Sequence, residues 1–174
     1  MADDLELAEQ KATLGSFIGP LQEAGFQAEL LDESEQLELP TLVVGLPQDE
    51  EGRGRWLSVN IVPFELGETV GLTVAQVYGA MPFSLPDELR AEFAQFALAA
   101  SQMLPIGSMG ARDDGELYFR YMATSPDTAT MEPGLLASVA MLFQFQMDVF
   151  GAAMESVATG TQTAAAALDA LDVD

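Results

Sequence analysis

Two acidic runs are the residues of this sequence whose type and spacing could bind a metal ion. Asp49-Glu50-Glu51 and Asp113-Asp114-Gly115-Glu116 each hold carboxylates within a few positions of one another. Carboxylate oxygens are the ligands that Ca²⁺ and Mg²⁺ prefer. Neither run has the spacing of a calcium-binding loop, and charged runs of this kind are usually solvated. We therefore interpret both as exposed turns and expect no metal and no other cofactor.

A third acidic group, formed by Asp32, Glu33 and Glu35, could contain a carboxylate pair for acid–base catalysis. The chain has 28 Asp and Glu residues, so neighbouring carboxylates are expected by chance. It has no cysteine and no histidine. Disulfides, thiolate chemistry, Cys/His zinc sites and histidine-based triads are therefore excluded. We assign no catalytic residue and expect that the protein is not an enzyme.

Positive charges are scarce, because Lys and Arg together number 6. Gly52-Arg53-Gly54-Arg55 loosely resembles an anion-binding loop, but no predicted helix begins after it, as phosphate loops require. We predict a flexible hairpin tip there. Tyr118, Arg120 and Met122 share one face of a predicted strand. Arg120 could grip an acidic group of a partner, although we favour an ion pair within the chain.

The charge balance constrains the partners of the protein. The formal net charge is −22, which argues against binding nucleic acid and disfavours docking on anionic membranes. An acidic surface could attract basic or amphipathic protein segments, or it could serve solubility alone. The N-terminus lacks the pattern of a signal peptide, and we expect no stretch that is long and apolar enough to span a bilayer. These features predict a cytoplasmic protein.

Residues 132–157 form the most apolar stretch and predict one long helix. Its apolar side chains cover one broad face, which comprises Leu135, Leu136, Val139, Leu142, Phe143, Met147, Val149, Phe150, Ala153, Met154 and Val157. Met141 and Phe145 lie on a flank of that face. We expect the face to pack on the protein's own core and the flank to contact something else.

Gln146 falls near the centre of this apolar face, where a buried amide needs partners. Three alternatives are open: a hydrogen bond across a dimer, a hydrogen bond to the sheet backbone, or a position at an exposed end of the face. Methionines such as Met141 suit an adaptable binding surface, although core filling is the simpler interpretation.

The remaining periodicity predicts the elements that position these residues. It predicts a helix at 4–24 bent near Gly19-Pro20, a weak strand at 26–31, strands at 41–46, 56–62 and 70–78, a helix opened by Ser84, and a hairpin with strands at 106–112 and 117–122 around its Asp-Gly turn. Without the weak strand, the order is α-β-β-β-α-β-β-α. The fold class is α+β, an antiparallel sheet with helices packed against it. We expect one domain over residues 1–160 and a tail at 161–174 that is frayed or a short helix.

This order and its local sequence resemble the type III secretion chaperone-like superfamily, and within it the bacterial YbjN-like family. The resemblance is carried by the helix from Leu85 to Leu104, by Leu104-Pro105-Ile106-Gly107-Ser108-Met109, by Asp114 to Arg120, and by the long final helix. It implies a small α+β domain, often dimeric and acidic, that binds other protein segments without catalysis.

Three functions are compatible with these observations. The first is a chaperone-like or regulatory protein-binding module that acts as an acidic homodimer and holds extended or amphipathic segments. The second is a structural dimerisation domain without a client. The third is a small-ligand-binding protein with a pocket between the sheet and the C-terminal helix. The predicted partner or dimer surface comprises Met141, Phe145, Gln146, Tyr118, Arg120 and Met122.

Overall fold

The structure, a computed structural model, describes residues 4–34, 37–62, 72–126 and 131–171. Its helices are α1 (Asp4–Ser16), α2 (Ile18–Glu23), α3 (Arg90–Ala100), α4 (Pro133–Ala158) and α5 (Ala164–Asp169), with a 3-10 turn at Asp87–Leu89. Its strands are β1 (Gln27–Leu31), β2 (Thr41–Leu46), β3 (Arg55–Val62), β4 (Leu72–Ser84), β5 (Ser108–Ala111) and β6 (Glu116–Pro126).

The six strands form one open antiparallel sheet in the order β1-β2-β3-β4-β6-β5. The predicted α+β class with an antiparallel sheet is confirmed. The weak strand predicted at 26–31 is confirmed as β1, although the predicted order α-β-β-β-α-β-β-α left it out. Strand β1 pairs with β2 from Gln27 opposite Gly45 to Leu31 opposite Thr41. The described residues therefore form four strands before α3, and β1, one of the two edge strands, is the one whose sequence signal was weakest.

The chain forms two compact units. Unit 1 comprises Met1–Leu46, Trp56–Tyr78 and Tyr121–Ala140, and unit 2 comprises Pro47–Arg55, Gly79–Arg120 and Met141–Asp174. Strands β3, β4 and β6 and helix α4 each contribute residues to both units. The predicted boundary at residue 160 stays a prediction.

In unit 1, alternating burial along β3 places Leu57, Val59 and Ile61 in the core, which confirms the predicted face of that strand. The N-terminal helix is divided, as predicted, but the break falls at Phe17 rather than at Gly19-Pro20. Proline is tolerated in the first turn of a helix, where its missing N–H has no partner to lose, so Pro20 lies inside α2.

In unit 2, β5 and β6 form the predicted hairpin, with Ser108 opposite Arg120 and Ala111 opposite Leu117. The residue at the turn is Gly115, whose φ is +88°. Ser84 does not open a helix as predicted; it ends β4, and the backbone is still extended at Pro86. The alanine-rich segment folds as α5, where Thr163 Oγ1 accepts a hydrogen bond from the N–H of Ala166 and Glu92 Oε1 accepts one from the N–H of Ala164 at 2.6 Å.

Helix α4 runs for 26 residues with a largely buried stripe that contains Phe143, Met147, Phe150 and Met154. The predicted face is correct in its centre. Leu135 is wrongly placed on it, because it is 37% exposed, whereas the neighbouring Leu136 and Val139 are buried as predicted. The stripe therefore contributes to the core from Leu136 to Val157.

Among the described residues, α4 alone is long and apolar enough to cross a membrane, with a mean hydropathy of 1.4 over its most apolar window. The expectation that no stretch is long and apolar enough is wrong, because the helix carries only two ionisable side chains, Asp148 and Glu155, among many apolar residues. Half of that window is buried inside the fold, as in the core helix of a soluble protein, so the test is weak evidence for a membrane span.

Candidate functional site

The predicted partner surface separates into exposed and buried residues. On α4, Met141 is 52% exposed and Phe145 is 50% exposed, one helical turn apart, so they form an apolar pair on one side of the helix. Gln146 is completely buried and belongs to the opposite, core-facing side. The pair is therefore the part of the predicted surface that is available to a partner.

The three predicted residues of β6 have different surroundings. Tyr118 is half-buried opposite Gly110, and its hydroxyl oxygen would come within 2.7 Å of a Cβ atom placed on that glycine. Arg120 is exposed and makes no ion pair with any described residue, so the intrachain pair that we favoured stays a prediction. Met122 is half-buried in unit 1.

Gln146 is a completely buried polar side chain on α4. Neither Nε2 nor Oε1 has a hydrogen-bond partner within the described part of the chain. The alternative of an exposed end is wrong because the residue has no exposed surface, and no sheet backbone group in the described ranges bonds the amide. A bond across a dimer would require the amide to become accessible.

A cluster of charged side chains surrounds Arg53, in the segment that we predicted to be a flexible hairpin tip. The guanidinium of Arg53 donates to Asp49 Oδ2 at 2.6 Å and to both carboxylate oxygens of Glu155 at 2.7 Å, and it pairs with Glu51 Oε2 at 2.6 Å. Asp49 Oδ1 accepts hydrogen bonds from the backbone N–H groups of Glu51 and Arg53. The loop after β2 is therefore tied to α4 by a bidentate arginine–carboxylate pair.

Arg55 forms a second, more buried ion pair. Its side chain is 3% exposed, and its Nη1 lies 2.6 Å from Asp148 Oδ1. Its Nε and Nη2 donate to the carbonyl oxygens of Pro47 and Gln48, at 2.9 and 3.4 Å. All three nitrogens of this guanidinium have acceptors, as a buried charge requires.

These two ion pairs border a partly open cavity of about 470 Å³ within unit 2. Met81 and Phe83 of β4 and Met147 and Ala152 of α4 supply apolar lining. The volume falls in the range of small-molecule pockets, which is about 300–1,000 Å³. Sequence reasoning missed this site because Arg53 and Glu155 are separated by 102 positions. The only local signal was the pair of arginines in a chain that has few.

The arginine changes the ionisation of its neighbours. The hydrogen bonds from Arg53 to Glu155 hold the pKa of that carboxyl below its usual value, and the same contacts raise the pKa of Arg53. Desolvation alone would raise the pKa of Asp49, but hydrogen bonds from the Arg53 backbone and guanidinium lower it overall. Asp49, Arg53 and Glu155 are therefore all charged at neutral pH.

Glu155→Gln is expected to lower the free energy of unfolding by about 1 kcal/mol at neutral pH, because it weakens the bidentate pair. The folded-state pKa of Glu155 lies below the usual 4.5. Its contribution is therefore present above pH 4.5 and is lost as the pH falls through the folded-state value. Urea denaturation at neutral pH and along an acidic series measures this difference, with Glu88→Gln as the exposed control. A difference that stayed constant down to the most acidic pH would contradict it.

The other acidic candidates make separate local contacts in the described part of the chain. Asp32 and Glu33 each lie 3.0 Å from Lys11 Nζ, while Glu35 is outside the described residues. In the β5–β6 turn, Asp114 Oδ1 accepts a hydrogen bond from the N–H of Glu116. Among the residues that the structure describes, no group of three or more potential ligands is arranged to hold a metal ion.

Comparison with known protein families finds no family that matches this chain, and comparison with curated proteins finds no similar sequence. The resemblance to the type III secretion chaperone-like superfamily and its YbjN-like branch therefore stays a prediction.

Proposed function

We propose that this chain is a non-catalytic protein-binding module, chaperone-like or regulatory, that acts in the cytoplasm as an acidic homodimer. The observation that carries the proposal is the pair Met141 and Phe145, each about half exposed on a helix whose other side forms core. Large apolar side chains that share one exposed side of a helix favour contact with another protein surface.

A second copy of the chain is the proposed occupant of this pair. Dimers with two-fold symmetry place the same patch of each subunit against itself, and a short apolar side of a helix is complementary to its own copy. Association between like-charged chains needs a contact region with little charge, and the two exposed apolar side chains supply one. Gln146 is not part of the proposed contact, because it is completely buried.

The double variant Met141→Glu/Phe145→Glu is expected to weaken the dimer by at least about 100-fold, because it places like charges in the contact. Size-exclusion chromatography with light scattering over a dilution series measures the dissociation constant. Leu98→Glu is the matched control, since Leu98 is 73% exposed on α3 and also lies in unit 2. A wild-type protein that stays monomeric at every concentration would overturn the homodimer. A double variant that dimerises like wild type would place the contact elsewhere.

A second candidate is a small-ligand-binding protein, with the pocket between the sheet and the C-terminal helix. The cavity beside Arg53 and Arg55 supports it, because its lining comes from the loop after β2, from β3 and β4 and from α4, and combines apolar with charged side chains. Soluble ligands of this class would raise the melting temperature in proportion to the logarithm of their concentration.

A further inference from the structure

The cavity in unit 2 combines an apolar lining with an acidic border. Met81 and Met147 are buried, and Phe83 is half-buried, with the centre of its ring 5.4 Å from the guanidinium carbon of Arg53. Asp148 is half exposed and Glu51 is mostly exposed. The site therefore suits a ligand with an apolar stem and a polar end.

The two arginines of the cavity do not make it an anion site. Arg53 is bound by three carboxylates, and Arg55 is bound by Asp148 and two backbone carbonyl groups. An anionic ligand would have to displace these partners, and it would also be repelled by a chain of net charge −22. The guanidinium groups act instead as cross-links that hold the shape of the cavity.

The uncompensated charge of the cavity is negative. Five carboxylates line it against two guanidinium groups, which leaves three formal negative charges. Glu50 has no ion-pair partner within the described ranges, and the 49%-exposed side chain of Asp148 has one oxygen engaged with Arg55. A cationic group entering the cavity would meet these carboxylates without breaking an existing pair.

We propose that this cavity binds a lysine or arginine side chain of a partner protein, presented beside an apolar residue in an exposed segment. This inference rests on the proposed protein-binding function and names the chemistry of the partner. A lysine or arginine has a long aliphatic stem that packs on apolar surface while its charged head stays at a polar border. The methionines and Phe83 receive the stem, and Glu50, Glu51 and Asp148 receive the charge.

The experiment titrates the full chain into a fluorescently labelled, end-blocked peptide that holds one arginine between two leucines, and follows anisotropy. Two comparison peptides carry citrulline in place of arginine, or serines in place of the leucines. We expect each to bind at least about tenfold more weakly than the parent, because the first lacks the charge and the second the apolar contact. Equal binding of the parent and citrulline peptides would overturn the proposal.

Three variants locate the binding site. Glu50→Gln/Glu51→Gln is expected to weaken binding about tenfold, whereas the control Glu23→Gln/Glu88→Gln changes the net charge equally and leaves binding within about twofold. Ala152→Phe adds a ring at an exposed position of the lining and is expected to abolish binding. Circular dichroism and melting temperature confirm folding of each. Equal effects of the two charge variants would show attraction by net charge alone and overturn the assignment to the cavity.

Two further binding measurements distinguish this inference from the proposed dimer. The Met141→Glu/Phe145→Glu variant is expected to bind the peptide within about twofold of wild type, since neither residue lines the cavity. The second measurement tests the binding of free butylguanidine, a small molecule that carries the same cationic group as arginine. If it binds as tightly as the peptide, the occupant is a small cation and the peptide proposal fails, while the dimer is unaffected.

Discussion

Gly115→Ala is expected to lower the free energy of unfolding by about 2–4 kcal/mol, since the new methyl group meets two independent penalties. The first is conformational: the φ of Gly115 is +88°, a left-handed backbone conformation that costs a residue with a Cβ about 1–2 kcal/mol. The second is steric, because the Cβ would lie 2.7 Å from the carbonyl oxygen of Leu85. The clash cannot be relieved by a side-chain rotation, because the opposing atom belongs to the backbone.

Two other glycines of the chain separate these penalties. Gly52 has a φ of +76° but open space around its Cβ position, so Gly52→Ala should cost only the conformational part, about 1–2 kcal/mol. Gly54 has neither a positive φ nor a close neighbour, so Gly54→Ala should change stability by no more than about 0.5 kcal/mol. Urea denaturation of the three variants tests the order. A Gly115→Ala cost no larger than that of Gly52→Ala would contradict the close approach to Leu85.

The hairpin around Gly115 shows which part of this fold could be predicted from sequence. An Asp-Gly pair between two strand-like segments specifies a turn through its own backbone preferences, and the turn formed where it was expected. The N–H of Leu85 donates to the carbonyl oxygen of Gly115 at 2.8 Å, a contact between residues 30 positions apart. Local patterns contain no information on that contact, because it depends on where β4 ends.

The predictions for the ends of helices and strands were wrong for a related reason. Ser84 has the composition of an N-cap, yet it remains in β4 because the extended conformation continues through Pro86. Leu135 has the periodicity of a core residue, yet it is exposed near the start of α4, where no later turn of the pattern constrains it. Periodicity reports a face reliably only where several turns or alternations repeat it, as in the centre of α4 and along β3.

The candidate site also has one part that could be predicted from the sequence and one part that could not. The apolar pair on α4 follows from helical spacing, so the sequence predicted Met141 and Phe145. The cavity depends on the ion pairs Arg53–Glu155 and Arg55–Asp148, and each pair joins a loop or strand of the first half of the chain to α4. In a chain with 28 acidic residues, no pattern singles out these two carboxylates.

Gln146→Met is expected to raise the free energy of unfolding by about 1–3 kcal/mol, because burying an amide without hydrogen bonds costs about that much. Methionine has a similar length and shape, and it carries no group that needs a partner. Thermal and urea denaturation measure the change. Gln144→Met is the matched control on the same helix, where the side chain is only half-buried, and it should change stability by no more than about 0.5 kcal/mol.

A decrease in the free energy of unfolding of Gln146→Met would be equally informative about this side chain. If Gln146→Met destabilised the protein, the amide must have a partner that the described residues do not supply, which would contradict an unpaired buried group. Measuring the variant at two protein concentrations then identifies the source. A loss that grows with concentration places the partner in a second copy, since a dimer stabilises by mass action. A loss independent of concentration places it within one chain, where a buried amide and its acceptor would fix the position of α4.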